Sequence, residues 1–181
     1  MSLKKTSLLD RLIVKAPHSR LTLWCLSTAM RFVVPFNNPH RLSVIEFIPG
    51  KAVVRVPFCR SNKNHLGTTH ACIMAAAGEY AAGLAIASLI SPTHFRIIMR
   101  ELHVNYLLQG RGQLTANCSI GETAQKLKST PPTAEQPADV QTNSELRDNL
   151  GQVCATVTVL WQVKPLSQAT PADSNNNADA Y

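Results

Sequence analysis

Between Ala71 and Ile90 the chain reads Ala-Cys-Ile-Met-Ala-Ala-Ala-Gly-Glu-Tyr-Ala-Ala-Gly-Leu-Ala-Ile-Ala-Ser-Leu-Ile, and few folds can use such a run. It predicts one helix over Thr69 to Leu89. The hydroxyl of Thr68 or Thr69 can cap its first amides, and Pro92 cannot continue it. About 20 residues at ~1.5 Å each make a rod of roughly 30 Å. Such a length could cross a bilayer, but Ala and Gly drive insertion weakly and Glu79 stands near the centre. The better reading is a helix enclosed by other elements, whose small side chains let neighbouring backbone come close. Glu79 is its only charge. A carboxylate among apolar residues is costly unless it is paired, edge-exposed or used in chemistry.

The preceding turn favours use. Asn64, Gly67 and His70 recur at intervals of three, just ahead of the helix start. Unpaired amides and the helix dipole at that start favour negative charge, which suits a developing oxyanion. Glu79 lies eight residues after Ala71, or ~12 Å along the axis, so one carbonyl cannot meet both on the same helix. If both act on one bond, they come from two antiparallel copies of the helix in a symmetric dimer.

The pattern Asn64-x-x-Gly67-x-x-His70-Ala71, followed by Glu79 and an Ala-Gly pair, resembles the hotdog-fold acyl-CoA thioesterases, particularly those of the phenylacetate pathway. It is similar also to a bacterial hotdog subfamily known only as a domain of unknown function. The resemblance covers roughly residues 40–164. It implies an α+β hotdog fold, with an antiparallel sheet of about five strands wrapped around one long helix and amphipathic helices at the N-terminus. It also implies hydrolysis of an acyl-CoA thioester by a homodimer or dimer of dimers, with no cofactor. Glu79 matches the general base or nucleophile, and the Ala71 amide the group that polarises the carbonyl. Asn64 matches the side chain that helps hold carbonyl or water, and His70 a positioning residue. Two departures stand out. Ala71 replaces the usual Gly, and Ile97 to Arg100 offers no Ser or Thr to match a partner hydroxyl found in some relatives. Non-catalytic acyl-CoA binding is the first alternative. A hotdog dehydratase or hydratase is the second, though the nine residues between His70 and Glu79 do not fit that chemistry.

The charge agrees with a coenzyme A ligand. The net charge is +7, and residues 1–60 hold ten Lys or Arg against two acids. A polyanionic small molecule fits this balance, whereas no nucleic-acid motif or aromatic interleaving accompanies it. Arg60 and Lys63, where the second strand meets the polar turn, are candidate phosphate contacts. So are Arg111 in the Leu108–Gly112 connector, and Arg96 and Arg100, whose even spacing puts them on one face of a strand. Five cysteines without metal spacing suggest reduced thiols and a cytoplasmic setting. Cys72 is expected to be buried, and no metal site is expected.

In order, residues 1–34 form an N-terminal helical extension without an export signal. Leu8, Leu9, Leu12 and Ile13 recur at helical spacing, as do Leu21, Trp24, Cys25 and Thr28, and these faces should pack on the domain. Only these basic helices are candidates for membrane contact. The hotdog domain spans 35–164, with strands over Leu42–Ile48, Ala52–Phe58, Phe95–Leu107, Gln113–Ile120 and Gln152–Val163. The polar stretch 122–149 reads as a mobile loop insertion, and 165–181 as a disordered tail.

Overall fold

A computed structural model of the chain describes residues 19–121, 126–127, 129–133 and 136–166. The helix expected over residues 1–18 and the tail 167–181 lie outside them. Helix α1 (Arg20–Val33) and the single turn α2 (Asn37–His40) lead into β1 (Ser43–Ile48) and β2 (Lys51–Val56). A short 3-10 helix (Arg60–Asn62) precedes α3 (Ala71–Ala87), and β3 (Phe95–Tyr106), β4 (Leu114–Ser119), β5 (Ala138–Arg147) and β6 (Val153–Pro165) follow. All strands join one antiparallel sheet in the order β1-β2-β4-β5-β6-β3.

The long helix lies against one face of this sheet. Ala77, Ala81, Ala82 and Ala85 have no exposed surface, and Ile73, Met74, Leu84 and Ile86 pack with Val54, Ala116, Val157, Val159 and Trp161 from the strands. Gly78 is where the approach is closest, since a Cβ there would come within 2.5 Å of Val157 Cγ2. The helix starts and ends within two residues of the expected bounds, but a different side chain caps it. His70 Nδ1 accepts from the Cys72 amide at 3.1 Å, while Thr68 and Thr69 are buried in the preceding turn.

Strand β5 corrects the reading of residues 122–149 as one long loop, and it makes the sheet six-stranded instead of about five. Its inward residues are Val140, Thr142, Ser144 and Leu146. The two polar ones are satisfied inside the fold. Ser144 Oγ donates to the Gly78 carbonyl at 2.8 Å, and Thr142 Oγ1 accepts from Trp161 Nε1 at 2.9 Å. Buried hydroxyls paired in this way carry no desolvation penalty.

The two sheet edges differ. At β1, Ser27 Oγ of α1 accepts from the Val44 amide and Arg31 Nε donates to the Leu42 carbonyl, so α1 occupies backbone groups that would otherwise stand open. The face of α1 that packs holds Leu23, Leu26, Ser27 and Met30, which corrects the expected face. Leu21 and Trp24 point outward, 71% and 64% exposed. At the other edge, β3 pairs among the described residues only with β6. Its helix-side residues Met99, Leu102 and Tyr106 are close to half-exposed.

Candidate functional site

The sequence between β2 and α3 builds one compact turn. Asn64 Oδ1 accepts from the Leu66 and Thr68 amides, Asn64 Nδ2 donates to Thr68 Oγ1, and Gly67 takes a φ of 74° that disfavours other residues. The Asn64 side chain is thus engaged in its own turn while it lines a cleft of about 280 Å³. That cleft runs past Thr69, Ala71 and Met74 to Tyr106, Leu108 and Gly110. The 108–112 connector is pinned at its centre. The Gly110 carbonyl accepts from the Thr69 amide at 2.7 Å, and Gly110 is buried.

Two residues that the sequence pattern did not single out hold this arrangement. Asn62 is buried, donates to the His40 and Pro57 carbonyls, contacts His40 Nδ1 at 2.9 Å, and lends its carbonyl to the His70 amide. It ties the β2 end to the helix start, and His40 is half-buried. Tyr106 Oη donates to the Ala71 carbonyl at 3.1 Å, closing one side of the cleft. An asparagine in a polar turn gives little signal in sequence, and neither does a tyrosine near the end of a long strand.

At the helix start the His70 carbonyl accepts from Ile73 and Met74, and the His70 ring takes the Cys72 amide. The Ala71 amide has no acceptor among the described residues, and it borders the cleft. Cys72 is exposed beside it, which corrects its expected burial; Ala71 and Cys72 lie on the open side of the first turn, while Ile73 and Met74 face the core.

Glu79 lies on the one stripe of α3 that the sheet leaves open, with Ala71, Cys72, Ala75, Ala76 and Gly83. It is neither buried nor fully exposed, and makes no hydrogen bond or ion pair with a described residue. Burial pushes its carboxyl from 4.5 up to about 7. Partial desolvation without a compensating cation favours the protonated form. Burial also raises the neighbouring Tyr80 hydroxyl, with the Glu79 charge adding to the effect.

The basic candidates are spread over the surface. Arg111 borders a wider recess that continues the cleft beyond Leu108 and Gln109, and its guanidinium donates to Gln109 Oε1. Lys63 stacks over the Phe58 ring with Nζ 4.0 Å from its centre. Arg60 lines a separate notch with Arg41. Arg96 pairs with Lys164, and Arg100, expected on the same strand face, falls at a bulge; both are exposed. Met99 and Glu101 pair with Trp161 and Leu160, so Arg100 is the extra residue and the alternation shifts by one. Among the described residues no cluster of His, Cys, Asp or Glu is arranged to hold a metal, and no helix is long and apolar enough to cross a membrane.

A family model described as a domain of unknown function, DUF4442, matches residues 22–163. No curated protein matches the sequence. Several solved structures share the fold. A Pseudomonas aeruginosa protein of unknown function, described as a probable thioesterase, superimposes with a TM-score of 0.66 at 18% identity, over 77% of this chain and 93% of its own. A thioesterase family protein from Silicibacter pomeroyi gives 0.63 at 14% identity, over 85% and 99%. The phenylacetic acid degradation protein PaaI from Thermus thermophilus, as a mutant, gives 0.53 at 18% identity, over 71% and 97%. The chain belongs to the DUF4442 family, a domain of unknown function built here on the hotdog fold.

Proposed function

We propose that the protein is a cytoplasmic acyl-CoA thioester hydrolase that works as a homodimer. The observation that carries this reading is Glu79, a half-buried carboxylate without a partner among the described residues, on the stripe of α3 that the sheet leaves open. Within one chain Glu79 stands ~12 Å along the axis from the Ala71 amide, too far to share a carbonyl. Pairing across the uncovered β3 edge would lay the open stripes of two helices face to face, so that each Glu79 meets the partner's cleft. The unprotected edge and its half-exposed Met99 and Leu102 support that contact.

The chemistry then follows from the two groups. The Ala71 amide, at the positive end of α3, donates to the thioester oxygen and steadies the charge that develops there. Ionised Glu79 takes a proton from water as the oxygen adds to the carbonyl carbon. The carbon–sulfur bond breaks, and the leaving thiolate recovers the proton, giving a carboxylic acid and free coenzyme A. His70 positions the amide by capping the first turn. Its Nδ1 is an acceptor there, which disfavours the dehydratase reading because that needs an imidazole free to move protons. Arg111, beside the recess adjoining the cleft, is the basic residue best placed for a coenzyme A phosphate.

Purified protein incubated with a panel of acyl-CoAs should release free thiol from at least one of them. Tight binding of every member without thiol release would select the non-catalytic binder instead. Leu102→Asp should give a monomer by light scattering and lose turnover with it. An active monomer would remove the shared-site geometry.

A further inference from the structure

The outward face of α1 has no role in the hydrolytic reading. Leu21, Trp24 and Phe32 follow one another at i, i+3 and i+11 on the side opposite Leu23, Leu26 and Met30, and they are 71%, 64% and 74% exposed. Past the helix end Phe36 is exposed as well, its ring 5.1 Å from that of His40. A helix with one apolar face on the sheet and another in water calls for a second covering.

What lies beside the ridge indicates the covering. Past His40 the chain enters a notch of about 570 Å³ lined by Pro39, Arg41, Cys59, Arg60 and Ser61. The notch is tied to α2 by the hydrogen bond from Ser61 Oγ to the Pro39 carbonyl. Neither guanidinium has an acidic partner among the described residues. The two acids in residues 1–60 are Asp10 and Glu46, and Glu46 is held by Lys51 at 2.7 Å. Aromatic and aliphatic side chains next to uncompensated arginines make up the pattern of a helix lying in the plane of a lipid interface, where Trp and Phe enter the headgroup boundary and Arg meets phosphate. A second copy of the chain fits this face less well, because α1 covers β1 at the edge of the sheet farthest from the open β3.

We propose that the outer face of α1, with the Arg41–Arg60 notch, docks the protein on an anionic phospholipid surface. The full chain should sediment with phosphatidylcholine–phosphatidylglycerol vesicles at low salt and much less with phosphatidylcholine alone, and added salt should release it. Brominated lipid should quench Trp24, since Trp161 is buried. Trp24→Ser with Phe32→Ser should abolish the quenching and most of the binding. Arg41→Asn with Arg60→Gln should weaken partition about thirtyfold, at roughly a factor of five for each basic residue near the surface. Asn is chosen at 41 because that residue has a φ of 53°. Three results would overturn the assignment. One is no sedimentation with anionic vesicles. Another is sedimentation that both double variants leave unchanged. The third is Trp24 already shielded from acrylamide in the free protein, which would mean that residues 1–18, a second copy or another protein covers the ridge.

Discussion

Glu79→Gln should lower kcat by a factor of about 10²–10⁴ while making the folded protein more stable at alkaline pH. The two effects have one origin. Burial raises the folded-state carboxyl to about 7 from 4.5, so the folded chain holds this proton more tightly than the unfolded chain does. The charge therefore costs nothing below pH 4.5, costs progressively more between 4.5 and 7, and reaches its full cost above 7. At ~1.4 kcal/mol per pH unit this amounts to about 3 kcal/mol. Glutamine keeps the shape and carries no charge, so its stability should lose that slope. The wild-type rate should rise through pH 7 and level off as the base form fills. Thermal melts at pH 5 and pH 8, with kcat measured across the same range, test both halves. A variant equally inactive but no more stable at pH 8 would place the carboxylate in water. A variant that retains full activity would remove Glu79 from the mechanism.

Much of this arrangement is visible in the residues themselves, because the features that form it are local. The alanine and glycine run announces a helix that must be approached closely, and Gly78 over Val157 is that approach realised. The inward residues of β6, from Ala155 through Val157 and Val159 to Trp161, alternate without interruption and so declare their strand. Strand β5 is hidden because its inward positions include Thr142 and Ser144. In a sequence these look like the polar residues of a loop, and only the Gly78 carbonyl and the Trp161 indole, supplied by distant segments, explain their burial. The bulge at Arg100 escapes for a related reason. Alternation counts residues, whereas the register is set by the partner strand. At the site, the order Asn64, Gly67, His70 and Glu79 carries the turn and the carboxylate, whereas the cap, expected from Thr68 or Thr69, is the His70 ring. The hub at Asn62 is invisible, since its partners His40 and Pro57 are joined to it only by the fold.

Helix α1 shows a different limit. Leu21, Trp24, Cys25 and Thr28 recur at helical spacing as regularly as Leu23, Leu26, Ser27 and Met30 do. Periodicity finds an apolar stripe but does not say which of two stripes the core takes. The choice is made by Ser27 and Arg31, whose polar atoms satisfy the Val44 amide of β1 and the Leu42 carbonyl just before it and so turn their own side of the helix inward. The larger side chains are left outside, where burying them would have stranded the strand edge.

The largest effect on stability is expected at the point where helix and sheet touch. A β-carbon on Gly78 would lie 2.5 Å from Val157 Cγ2 and 2.7 Å from Val157 Cβ, and the second of these atoms cannot swing aside because it is fixed to the β6 backbone. Val157 itself is fully buried between the Ser144 and Val104 positions of the flanking strands. Gly78→Val therefore has to push the helix off the sheet, which would also stretch the bond from Ser144 Oγ to the Gly78 carbonyl. Overpacking by a single group typically costs about 1–3 kcal/mol. Here two further methyls and a displaced hydrogen bond are added, so the loss should approach the whole stability of a domain this size, about 5–15 kcal/mol. Gly83 provides the contrast. A β-carbon there would meet the Trp161 ring edge at 3.3 Å, a contact that a small tilt of the indole relieves. Gly83→Ala should be close to neutral, because the helix gains about 1 kcal/mol from losing an interior glycine. Thermal unfolding of the two variants should thus separate them widely. Equal melting temperatures would mean that the helix does not rest on the sheet at Gly78.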